Sequence, residues 1–474
     1  MRKMIVLFLF TMLFSACASA PRKRTFEPAI QIPESWSSST GAGGLDSLWW
    51  TNFKDDGLNA VIDEALHHNF TLRIAEAGLS AAQAQAKIAG SSMLPQVGAG
   101  FNGSRRKQNF IGLPIPSAGG GILTNTSTSY GVSMDLSWEL DLWGRIRAGT
   151  SAAHAEIQAT EADLRGAKLS LIGQVCKAWF ATVEANHQLA LAKATFENLR
   201  NATAQIEARY QRGIRRSLEL RLSRSNLASA EAILQVRKGQ QNRTLRQLEI
   251  LLGRYPAAKL EVTPDLPFLQ REIPAGLPAT LIARRPDLVA AERRLAGSHA
   301  KIWQAKAAML PKFAITTSGG TSTKELGDLL NGDFSVWSIL GNVLQPLFQG
   351  GRLRAGVKLA KSQKEIALAL YGQTTLQAFA EVEFSLVNEK LLAAREKALT
   401  TASTEAAAAQ TLAEQQYSSG VVNFITLLEA QRRAYTSRSQ LLSVQRERLD
   451  ARIDLHLALG GGFEMKNEKT DEGK

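Results

Sequence analysis

Apolar and polar residues alternate along Ser127–Leu140. Tyr130, Val132, Met134, Leu136 and Trp138 fall on one face, and Gly131, Ser133, Asp135, Ser137 and Glu139 on the other. Period-two alternation predicts a half-buried strand. Gln96–Ser104 repeats it, with Val97, Ala99 and Phe101 set against Gly98, Gly100 and Asn102. The Pro-, Gly- and Asn-rich stretch Lys107–Thr126 between them reads as a loop. Lys312–Gly320 and Val336–Leu347 predict a second, less regular hairpin. Apolar-out strands of ~10 residues joined by a long glycine-rich loop are the pattern of an outer-membrane barrel. Tyr130 and Trp138 stand at opposite ends of the apolar face, where an aromatic girdle would lie. A soluble hairpin packed on a core is the other reading.

The rest of the pattern is helical. Leu58–Met93 predicts an alanine-rich helix ending at Pro95. Trp143–Arg209 and Gly351–Tyr417 are 67 residues each and contain no proline. At about 1.5 Å per residue each would reach roughly 100 Å, far beyond the ~12 residues of a globular helix. Shorter return helices are predicted over Leu218–Leu252 and Asn423–Leu459. In the last, Leu442, Leu449, Ile453 and Leu457 follow the spacing of one packed seam. Narrow apolar stripes among Ala, Gln, Ser, Lys and Glu suit helices packed side by side in a hollow cylinder.

These elements occur twice. Gly144 to Gly351, Tyr210 to Tyr417, Gly213 to Gly420 and Gly253 to Gly460 share one offset of 207. Leu72–Pro95 parallels Leu288–Pro311 at an offset of 216. The shift falls between Pro95 and Gly144, where the first copy carries nine more residues. A fixed offset over half the chain predicts a duplicated unit. The repeats are placed at 58–253 and 279–460, with a Pro-rich connector over 254–278 and a disordered charged tail over 461–474.

The two hairpins predict four membrane strands per chain. Open sheet edges are not tolerated in lipid, and the smallest common barrels use about 8 strands. Several copies must therefore share one barrel. Three copies leave room for a lumen, whereas two would leave an interior filled with side chains.

The N-terminus predicts export. Arg2 and Lys3 precede an apolar run, Met4–Phe14, followed by Ser15, Ala16 and Cys17. This is a signal peptide over 1–16, too short to span a bilayer. Small residues before Cys17 resemble a bacterial lipobox, with Phe14 in place of its usual leucine. That resemblance implies an acylated Cys17 (palmitate among its lipids) as the mature N-terminus, anchored in outer-membrane lipid. Cleavage by ordinary signal peptidase is the other reading. Residues 17–57 read as a lipidated, extended tether. Cys176 is then left without a partner, so no disulfide framework is expected, and it reads as a small core residue.

Beyond these patterns, the chain resembles the outer-membrane efflux proteins of the TolC and OprM type, especially their lipoprotein branch in resistance-nodulation-division efflux systems. The resemblance rests on Trp49, Trp50 and Phe53, on LDLWGRIRAG (Leu140–Gly149), on GLPATLIARRPDLVAAERRL (Gly276–Leu295), on PLFQGGRLRAG (Pro346–Gly356) and on QYSSGVVNFITLLEAQR (Gln416–Arg432). It implies a mainly α fold with a membrane β part: a homotrimer sharing a twelve-stranded barrel, continued by an α-helical tunnel through the periplasm. It implies docking to a periplasmic adaptor and an inner-membrane pump. The function implied is the outer-membrane channel of a tripartite efflux pump, exporting small molecules such as drugs or metal ions. The alternatives are the duct of a type I protein secretion system and a non-pore coiled-coil structural lipoprotein.

The same resemblance puts functional residues at the helical tips. Around the second turn these are Tyr417, Gly420, Val422, Thr426 and Glu429. Relatives carry acids at the positions of Val422 and Thr426, which puts an aspartate ring there in doubt. Glu429 reads either as a gate carboxylate, whose ring would attract cations, or as a solvated helix residue. The first turn is basic: Arg209, Arg212, Gly213, Arg215 and Arg216, followed by Arg221 and Arg224, face only Glu207 and Glu219. This patch carries a share of the net charge of +13. It reads as a solvated face, as a dock for an acidic partner, or as an attractor of anionic cargo. Nucleic-acid binding is not expected, because aromatic residues for base stacking are not interleaved.

No catalytic motif is present: the sequence has no phosphate loop, GxSxG, HExxH or CxxC. His67 and His68 lack the i, i+4 spacing of a helical zinc site. Neither enzyme activity nor a cofactor or metal site is expected.

Overall fold

The computed structural model describes residues 33–37, 48–111, 123–269 and 278–461. Cys17, the signal segment and the charged tail lie outside these. A single turn of tight helix at Trp49–Phe53 opens the order. Then follow α1 (Asp56–His68), α2 (Phe70–Ser91), β1 (Gln96–Phe110), β2 (Leu123–Leu140), α3 (Arg145–Gln211) and α4 (Ser217–Leu251). The second series is α5 (Pro278–Arg284), α6 (Pro286–Ala307), β3 (Lys312–Thr321), β4 (Ser335–Leu344), α7 (Arg352–Ser418) and α8 (Phe424–Ala458). Two compact units result. One gathers Leu79–Ala159 and Glu292–Leu370; the other gathers Glu27–Gly78, Thr160–Ala291 and Tyr371–Lys474, as far as these are described.

The repeat is exact in the helices. α3 and α7 are both 67 residues long, α4 and α8 both 35. The marker glycines explain why the register is kept. Gly213, Gly253, Gly420 and Gly460 have φ of 76°, 73°, 78° and 83°, the left-handed region that disfavours side chains. Each ends a helix with the same pair of bonds: Gly213 N–H donates to Tyr210 O and Ile214 N–H to Arg209 O, as Gly420 N–H does to Tyr417 O and Val421 N–H to Gln416 O.

The first predicted helix is two helices. Asn69 breaks it with an extended backbone (φ −68°, ψ 127°). Its side-chain oxygen caps α2 by accepting from Leu72 N–H at 3.1 Å, and its amide donates to Leu251 O at 2.8 Å. Periodicity did not show the break, because apolar spacing continues through it.

The four strands form one antiparallel sheet in the order β1-β2-β3-β4. β1 and β2 reach further than the alternation predicted, pairing through Phe110 and Leu123. This polar stretch carries no alternation because neither face there needs to be apolar. Register places Phe101 opposite Val132, Val97 opposite Leu136, Trp138 opposite Ile315 and Phe313 opposite Val343. Directly paired residues share a face, so these build one continuous apolar surface. β4 departs from alternation: Val336, Leu340 and Leu344 lie opposite in pleat to Trp337, Ile339 and Val343, and all six are exposed. Trp138 is half-buried and donates to Met93 O at 2.9 Å, so its indole is held by protein rather than free in a girdle.

In the second unit, a core joins Trp49, Trp50, Phe53, Leu58, Ile62, Val175, Cys176, Trp179, Phe180 and Leu248. Burial also pushes the Cys176 thiol far above its ordinary pKa, consistent with an inert core residue. Asp55 anchors this core, accepting from Leu58 N–H at 3.0 Å, Trp179 Nε1 at 2.8 Å and Thr263 Oγ1 at 2.8 Å. The stretch read as an extended tether is partly core. Trp36 is buried edge-on against Phe379, and Ser37 donates from its backbone N–H and hydroxyl to Glu383 at 2.7 Å each. Burying one indole outweighs the local Pro and Ser content.

Candidate functional site

The two helical turns meet. Ile206, Leu220, Ala413, Phe424 and Leu427 form a small buried cluster, with Tyr417 and Leu428 against it. α3 and α4 supply the first two side chains; α7 and α8 supply the rest. The second turn is well capped: Asn423 Oδ1 accepts from Thr426 N–H at 2.9 Å and Thr426 Oγ1 at 3.1 Å. The first turn has Arg216 at the corresponding position, and no side chain caps the helix.

Among the predicted tip residues, the structure brings together Arg215 and Tyr417. The guanidinium of Arg215 lies over the Tyr417 ring, 4.8 Å from its centroid. Arg215 also pairs with Glu219 at 3.5 Å. Burial pushes the Tyr417 phenol above its usual pKa, with Arg215 opposing. Arg224 pairs with Glu207. Arg209, Arg212, Arg216 and Arg221 are exposed, and no ion pair to them occurs among the described residues.

Glu429 is not a bare carboxylate. Arg432 donates to it at 2.8 Å, and Arg433 lies at 3.7 Å. Its charge is balanced from within α8, which weakens any field it would project into a narrow opening. Val422 is half-buried and Gly420 exposed, with Thr426 committed to the Asn423 cap. Phe424, Asn423, Arg432 and Arg433 are not singled out by the sequence reading. An Asn directly before an apolar-periodic segment is a cap signal that finds Asn423, and the i, i+3 and i, i+4 spacing from Glu429 is a signal for Arg432 and Arg433; the packing of Phe424 across the two turns leaves no such trace.

Other motif residues turn out to be structural. Asp141 accepts from Ile146 N–H at 2.9 Å and Arg147 N–H at 2.8 Å, capping α3. Arg285 reaches Asp287 at 2.9 Å, Glu381, and Ala458 O at 3.2 Å. His67 Nδ1 is engaged by Asp63 O at 2.7 Å. Among the described residues no helix is long and apolar enough to cross a membrane.

Residues 61–254 and 277–461 match the family described as outer membrane efflux protein. The chain belongs to that family. This outer membrane efflux protein is similar to outer membrane protein OprJ of Pseudomonas aeruginosa, 33% identical with 96% of this chain and 95% of OprJ covered. It is similar to the pyoverdine export outer membrane protein OpmQ of Pseudomonas putida, 31% identical over 92% of this chain and 93% of OpmQ. Its fold matches the crystal structure of the Campylobacter jejuni CmeC outer membrane channel, with a TM-score of 0.88, 26% identity, and 95% and 96% of the two chains covered. The mainly helical fold of this outer membrane efflux protein is thus that of known outer-membrane channels, and the resemblance read from its motifs holds.

Proposed function

We propose that this chain is the outer-membrane duct of a tripartite efflux pump. The observation that carries the reading is the open sheet. β1 and β4 are both edge strands, and exposed Val97, Phe101, Met134, Trp337, Ile339 and Val343 lie on one face. A membrane sheet must close, and one chain supplies too few strands to do so. Three copies would join edge to edge into a twelve-stranded barrel, leaving a lumen. Their long helices, α3, α4, α7 and α8, would line an α-helical tunnel.

The helical turns are the proposed gate and docking end. Tyr417, Gly420, Val422, Thr426 and Glu429 would edge the opening. The exposed arginines of the first turn would meet an acidic surface of a periplasmic adaptor, itself coupled to an inner-membrane pump. An acylated Cys17 would hold the N-terminus in outer-membrane lipid. The repeats at 58–253 and 279–460 then place six pseudo-equivalent hairpins around one ring. The duct itself is passive and export draws its energy from the pump.

The test is purification from outer membranes followed by mass measurement and planar-bilayer recording. A trimer that resists detergent until heated, and that conducts, is expected. A monomer without conductance would remove the duct reading.

A further inference from the structure

A cleft of about 900 Å³ opens beside the helical turns, walled by α3, α4, α7 and α8. Leu199, Ile233, Ile425 and Leu428 give it apolar walls. The contributions of α3, α4 and α7 are apolar or neutral polar: Asn198, Asn226, Thr400 and Gln410 are among them. Every charged group that lines the cleft lies on α8: Glu429, Arg432 and Arg438.

Their balance is positive. Among the described residues Glu429 is the only lining carboxylate, and Arg432 and Arg433 already neutralise it. Arg438 has no carboxylate partner among the described residues. Tyr435, three residues before it, also lines the cleft, and its hydroxyl is buried with no hydrogen-bond partner among the described residues. A buried hydroxyl without a partner loses hydration that a ligand would restore. Ile425, Leu428, Arg432 and Tyr435 follow one another at steps of three and four along α8, so they share a face. Arg438 continues that face one turn further.

We propose that this cleft is a binding site for anionic amphipathic molecules: an apolar body with one carboxylate or sulfonate. The body would lie between Leu199, Ile233, Ile425 and Leu428. The acid would accept from the Arg438 guanidinium, bidentately for a planar carboxylate, and from the Tyr435 hydroxyl. The inference deepens the efflux reading by naming a cargo class, and it reverses the sign expected from a carboxylate ring at Glu429.

The test uses the purified full-length protein and the fluorescent anion 1-anilinonaphthalene-8-sulfonate, with ethidium as a cationic probe. Saturable binding of the anion is expected. Arg438→Gln should weaken it about tenfold, as for loss of one charge-assisted hydrogen-bonding group. Arg438→Lys should retain most of the affinity, and Tyr435→Phe should lose a few-fold. Arg438 is exposed, so neither substitution threatens folding. Unchanged affinity in both Arg438→Gln and Tyr435→Phe, or tighter binding of ethidium, overturns the proposal. Binding is read without current. A chain that conducts but does not bind sinks this inference alone, and one that binds but does not conduct sinks only the duct.

Discussion

Arg215 of the first helical turn lies over the aromatic ring of Tyr417 of the second, 4.8 Å from its centroid. The contact ties together two turns that are far apart in sequence and unlike in composition. The Phe424 and Tyr417 rings, 5.6 Å apart, continue it into the small core below.

If this contact helps hold the turns shut, weakening it should loosen them. A partly exposed cation–π pair contributes about 1 kcal/mol, enough to shift a two-state opening several-fold. Arg215→Ala and Tyr417→Leu should each raise the open probability in single-channel recordings. Closed times no shorter than in the parent would show that the latch lies elsewhere.

The repeat glycines differ in what surrounds them. Both Gly213 and Gly253 need a left-handed backbone, but a Cβ on Gly213 meets nothing within 4 Å, whereas on Gly253 it would sit 2.5 Å from His68 O. Gly213→Ala should cost about 1 kcal/mol. Gly253→Ala should cost clearly more, because a backbone carbonyl cannot step aside without moving α1. Thermal unfolding of the two variants checks the order.

Asp55 gathers three donors from separate segments. Asp55→Ala leaves the buried Trp179 indole unpaired, and a loss on the order of 3 kcal/mol is expected. Denaturant unfolding followed by tryptophan fluorescence reads it. Asp55→Asn retains an acceptor and should lose less.

Asp450 on α8 has its carboxyl pushed up to about 6, chiefly by burial, against the opposing influence of Arg446 and Lys177. The folded chain therefore holds a proton that the unfolded chain releases. The resulting stability is fully present below the ordinary carboxylate pKa of about 4 and is lost as pH rises through the folded value. Asp450→Asn should stabilise the chain near neutral pH by on the order of 2–3 kcal/mol, seen as a higher melting temperature, and change it little at about pH 4. An equal shift at both would rule out the titration.

Acylation at Cys17 predicts that labelled fatty acid enters the mature chain, and that Cys17→Ser abolishes the labelling. Persisting label in that variant would return the N-terminus to ordinary signal cleavage.

Much of this was legible along the chain. Helix length follows from an uninterrupted pattern, so α3 and α7 could be placed within two residues. The glycines at 213, 253, 420 and 460 mark turns because no other residue accepts their backbone cheaply. Asn69 was hidden, because its reason for breaking a helix is a hydrogen bond to Leu251 O, 182 positions away. Trp36 was hidden for the same kind of reason: its partner Phe379 lies in another segment. At the tips, sequence put Glu429 and the arginines of the first turn in the right region. The spacing of Arg432 and Arg433 from Glu429 is a local signal of its pairing, but nothing along the chain shows that Arg215 is spent on Tyr417.

The sequence by itself determined the duplication, the four strands, the long helices and the family, because periodicity and backbone-restricted glycines act locally and repeat wherever they recur. Only the tertiary structure decided which charges remain free. Pairing between separate segments depends on tertiary distances: it spends Arg215 on Tyr417 and Arg224 on Glu207, whereas Glu429 is neutralised locally within α8, and it leaves Arg438 beside a cleft that Tyr435, with its unpartnered hydroxyl, also lines.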